Sequence, residues 1–130
     1  MPEKDFLRQS RVQTKTQFFN LDNGAGTTVD EPVVIAPTRN PIRIIKVYAL
    51  YGEATQTVAS GTYQLGTTVG GSDLVAATAY ENTKVVGTIT EATVTLAVVA
   101  PATVINVRHT GVAATQTGTA TICVEYVYDE

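Results

Sequence analysis

IRIIKVYALY, running from Ile42 to Tyr51, is ten residues long and holds no glycine, proline, asparagine or aspartate. Its β-branched and aromatic side chains lose rotamer freedom in a helix and sit well on a pleated surface. Arg43 and Lys46 are its only charges, so it is apolar on both faces, which predicts a central strand.

Outward from this segment the chain alternates with period two between breaks of Gly, Pro or Asn. Arg11 to Phe19 places Val12, Thr14, Thr16 and Phe18 on one side. Thr27 to Ala36 reads as a strand that Pro32 confines to an edge or a bulge. Thr55 to Ala59, Thr62 to Gly66, Thr83 to Thr90, Ala92 to Val99, Thr103 to Thr110 and Thr119 to Tyr128 follow the same pattern. Ser72 to Tyr80 (SDLVAATAY) is the one place where a short helix is expected, with Ser72 or Asp73 as its cap. About eight strands at roughly 8–12-residue spacing predict an all-β, antiparallel β-sandwich or barrel. Ile44, Val107, Ile122 and Val124 are expected to face the core.

Composition agrees. There are 22 Thr and 18 Val among 130 residues, so β-branched side chains dominate. Gly-Thr begins at Gly26, Gly61, Gly66, Gly87 and Gly118, five of the ten glycines, and marks repeated starts of strands after turns. The length suits one domain, read as an N-terminal arm and first strand over 1–19 and a single sandwich over 20–130. Formal net charge is −3, which argues against a general basic surface for nucleic acid. Seven of the nine Lys and Arg lie within residues 1–46, giving a basic lead segment and an acidic body.

Chemistry is scarce. One cysteine and one histidine exclude an intramolecular disulfide and a Cys/His zinc cluster. Cys123 lies in a strand-like run and is expected as a buried small hydrophobe. A single thiol suits folding in a reducing cytoplasm, Met1 to Ser10 shows no signal-peptide core, and no apolar run is long enough to span a bilayer. His109 is expected to be structural, because none of Ser10, Ser60 and Ser72 sits in a nucleophile elbow. Asp30-Glu31 and Asp129-Glu130 are adjacent and point to opposite sides of a strand, which is wrong for a glycosidase pair. The Asn20 to Gly26 loop has its glycine displaced from the calcium-loop position and reads as a turn. With no Trp, sugar stacking would fall to Tyr126 and Tyr128, which are expected instead to pack in the core or an interface. No catalytic residue, cofactor, metal or membrane contact is expected. A carbohydrate-binding module and a small hydrolase are the alternatives from other classes.

Gly61 to Val75 (GTYQLGTTVGGSDLV), Val86-Gly87-Thr88 and the closing run Thr119 to Tyr126 resemble small structural proteins of tailed bacteriophages, in particular capsid cement or decoration proteins. The resemblance covers roughly residues 33–128 and rests on a style of sequence. It implies a jelly-roll-like fold and a virion location on the capsid exterior, after synthesis in the bacterial cytoplasm. It also implies contact with the major capsid protein and self-association, for which a homotrimer is favoured and a homodimer is the alternative. A tail, neck or spike-base component would share the fold. Docking contacts are expected from the extended N-terminal arm, through Lys4, Arg8, Arg11 and Lys15 and the apolar Phe6, Phe18 and Phe19.

Overall fold

The computed structural model describes residues 11–21, 27–52, 61–81, 85–111 and 118–128. In chain order its strands are β1 (Gln13–Asn20), β2 (Thr28–Ile35), β3 (Ile42–Tyr51), β4 (Thr62–Gly66), β5 (Val75–Ala79), β6 (Ile89–Ala92), β7 (Val98–Val99), β8 (Val104–Thr110) and β9 (Thr119–Tyr128). One sheet runs β1-β9-β3-β6, with β7 also paired to β3; the other runs β2-β8-β4-β5. Every pairing is antiparallel. Apart from the β4–β5 hairpin and the step from β6 to β7, each connection carries the chain from one sheet to the other. That path is a jelly roll, and the expected all-β sandwich is what forms.

β3 is central, as expected, with β9 on one side and β6 and β7 on the other. Its two apolar faces have a local cause. The β3–β9 register shifts between Ile44 and Lys46, so Ile45 is an extra residue and stands 49% exposed. Ile42 and Ile44 face inward before this bulge, and Val47, Ala49 and Tyr51 after it. A bulge moves the strand's phase by one, so a core-facing series can change parity in mid-strand.

The core between the sheets takes Ile44, Val107, Ile122 and Val124, as expected, along with Tyr51, Tyr63, Leu65 and Ile105. Cys123 is buried on the other face of β9, across from Thr16 on one side and Tyr48 on the other.

Three expectations need correction. Residues 72–80 are not helical: Val75–Ala79 is β5, and it pairs with β4. Asp73 does not cap a helix. Its carboxylate accepts hydrogen bonds from the Thr67 amide (2.9 Å) and hydroxyl (2.7 Å), closing the β4–β5 turn. The expected strands over 83–90 and 92–99 contract to β6 and β7. Between these, Val94 bridges to Val75 and the Thr95 hydroxyl donates to the Asp73 and Leu74 carbonyls, each at 3.1 Å. Finally, the boundary drawn at 19/20 falls inside β1, which pairs with β9 from Gln13 to Asn20 and so belongs to the sandwich. The expected strand over 55–59 and most of the Asn20 to Gly26 loop lie outside the described residues.

Candidate interaction surface

The outer faces of the two sheets differ in chemistry. On the β2-β8-β4-β5 sheet, Asp30, Arg108 and Gln64 stand side by side across three strands. Arg108 donates from Nε and Nη2 to the two Asp30 carboxylate oxygens, each at 2.8 Å. This bidentate pair holds the Asp30 carboxyl below its usual range. Gln64 donates to the carbonyls of Gly70 (3.0 Å) and Gly71 (3.2 Å), drawing the β4–β5 turn over the sheet. Gly70 lies against the guanidinium so closely that a Cβ there would meet Arg108 Nη2 at 2.7 Å. This face is occupied by its own polar network and its own loop.

The β1-β9-β3-β6 face is more open. Its register lines up Phe18, Thr121, Leu50 and Ile89 in one row, with Phe18 58% and Ile89 39% exposed. The next row is Thr16, Cys123, Tyr48 and Glu91. Lys46 reaches across to Glu91 at 3.6 Å and sits 5.1 Å from the centre of the Tyr48 ring. Burial, reinforced by Cys123 and Glu125, pushes the Tyr48 hydroxyl up to about 12, so it is a neutral donor at ordinary pH. Exposed Ile45 and Val98 lie toward the far end of this sheet, near Arg43.

The sequence-expected contact residues divide in this frame. Lys4, Phe6 and Arg8 lie outside the described residues. Arg11 and Lys15 are exposed, and Phe18 is presented on the open face. Phe19 is a correction: it is 4% exposed and serves the core, not a docking surface. Adjacent residues on a strand point to opposite faces, so Phe18 and Phe19 cannot share one role.

His109 is fully buried and its Nδ1 lies 3.0 Å from the Tyr80 hydroxyl. Its ring stacks on Phe19 and tilts against Tyr80. Burial lowers its pKa, so the imidazole is neutral, and Nε2 has no partner among the described residues. Tyr51, Tyr63 and Thr90 continue this buried polar-aromatic cluster. Tyr51 and Thr90 join hydroxyl to hydroxyl at 2.6 Å, and the Tyr63 hydroxyl donates to the Thr90 carbonyl at 3.0 Å. Tyr126 and Tyr128 meet edge to face, with Tyr126 buried and Tyr128 packed on the core. The tyrosines are thus largely spent inside. Sequence reasoning identified neither the open sheet face nor the Asp30–Arg108–Gln64 row, because both depend on register between distant strands.

No protein-family model matches the chain, and no curated protein matches it. A chain of the solved cyanophage Pam1 capsid asymmetric unit has a similar fold. The TM-score is 0.63 at 16% sequence identity, over 92% of this chain and 86% of that one. At that identity the likeness is one of architecture, and it extends through nearly the whole sandwich.

Proposed function

We propose that the protein is a non-enzymatic virion component that binds the outer surface of a bacteriophage head as a cement or decoration protein, bridging and stabilising major capsid subunits. The observation that carries this reading is the fold shared, nearly end to end, with a chain of a cyanophage capsid. The surface fits the role. One sheet face is closed by its own salt bridge and loop, while the other exposes Phe18, Ile45, Ile89 and Val98, an arrangement suited to docking on protein. Arg11 and Lys15 lie at or beside β1, where they can meet carboxylates on a shell. Self-association, in trimers at three-fold positions or dimers at two-fold positions of the lattice, is part of the proposal.

Quantitative mass spectrometry of purified particles tests it. A cement protein is present at a copy number proportional to the major capsid protein and remains on tailless heads. A few copies per particle, lost with the tail, would replace this reading with a tail, neck or spike-base part. Absence from particles would end both.

A further inference from the structure

We draw no further inference here: the strongest candidate, the exposed apolar patch of Ile35 and Val104 where the β2–β8 ladder ends, carries none because nothing in the structure shows what covers it.

Discussion

His109 lies nearly parallel to Phe19, with ring centroids 5.3 Å apart and planes 22° from each other, in a site with no solvent exposure at the imidazole. Among the described residues its ring neighbours are Phe19 and Tyr80, and Tyr63 and Val29 lie across from it on the adjoining strands, all neutral between pH 5 and 8. A charge on this ring would have no counter-ion among these neighbours.

Acid lability follows from that burial. The folded-state pKa of His109 is lowered below its ordinary 6.5, so below that pH the unfolded chain binds a proton that the folded chain does not. Stability is full above pH 6.5 and falls below it, by up to ~1.4 kcal/mol per pH unit until the folded pKa is reached. Asp30 and Asp73 have pKa values lowered from 3.8, so their contribution is intact above about pH 4 and is lost only below it. Urea denaturation between pH 7.5 and 5 should show the histidine slope. The pair His109→Leu and Tyr80→Phe, which leaves no hydroxyl unpaired, should flatten it. A parent with constant stability over this range would refute the assignment.

Phe18 and Phe19 should respond oppositely to truncation. Phe19→Ala removes a core ring and is expected to cost ~3–5 kcal/mol. Phe18→Ser, on the open face, should change stability by no more than ~0.5 kcal/mol while weakening attachment to particles. Thermal melts and a particle-binding titration on both variants distinguish the two roles. Equal destabilisation would mean that the β1 register is wrong.

Gly61 should tolerate no side chain. Its φ is +99°, and a Cβ would fall 1.9 Å from the Thr110 carbonyl oxygen, which is backbone and cannot move aside. Its own carbonyl accepts the Tyr80 amide at 3.0 Å, fixing the residue from both directions. Gly61→Ala is expected to cost more than ~2 kcal/mol, read as a lowered denaturation midpoint with an unchanged slope.

Arg108 should govern the order of the β4–β5 turn. Replacing it with Ala removes the partner of Asp30 and the surface against which Gly70 packs. Faster amide exchange is expected in residues 67–73, with the core strands unaffected. Asp30→Asn should produce a weaker version of the same change, since one of the two hydrogen bonds can persist.

The fold was legible where one side of a strand is strongly apolar. β3, β8 and β9 were read within a residue or two of their observed ends, and their inward residues were named correctly. β1 was harder. Its core-facing positions include Gln13, Lys15 and Gln17, so an edge strand at the open corner of the sandwich shows little contrast between its faces. The apolar character of Phe18 and Phe19 then gave no parity. Residues 72–80 misled because a serine and an aspartate before alanines satisfy the rules for a helix start. What decides the matter is Asp73 reaching back to Thr67, a contact that exists only once β4 has formed. The Ile45 bulge likewise has no local signature, because both neighbouring parities are apolar.

The position of β9 bears on how the chain acquires its shape. The ninth strand is not added at a rim; it lies between β1 and β3, and β1 has no other strand partner among the described residues. On the ribosome, β1 therefore emerges first and waits for a partner about a hundred residues away, Gln13 for Tyr126 and Asn20 for Thr119. Closing so long a loop before any contact rewards it is slow, so this domain should fold late and all at once, after β9 has left the exit tunnel. A nascent chain stalled before Thr119 would hold β1 and β3 without the strand that joins them, and it would be a natural client for chaperones until synthesis resumed.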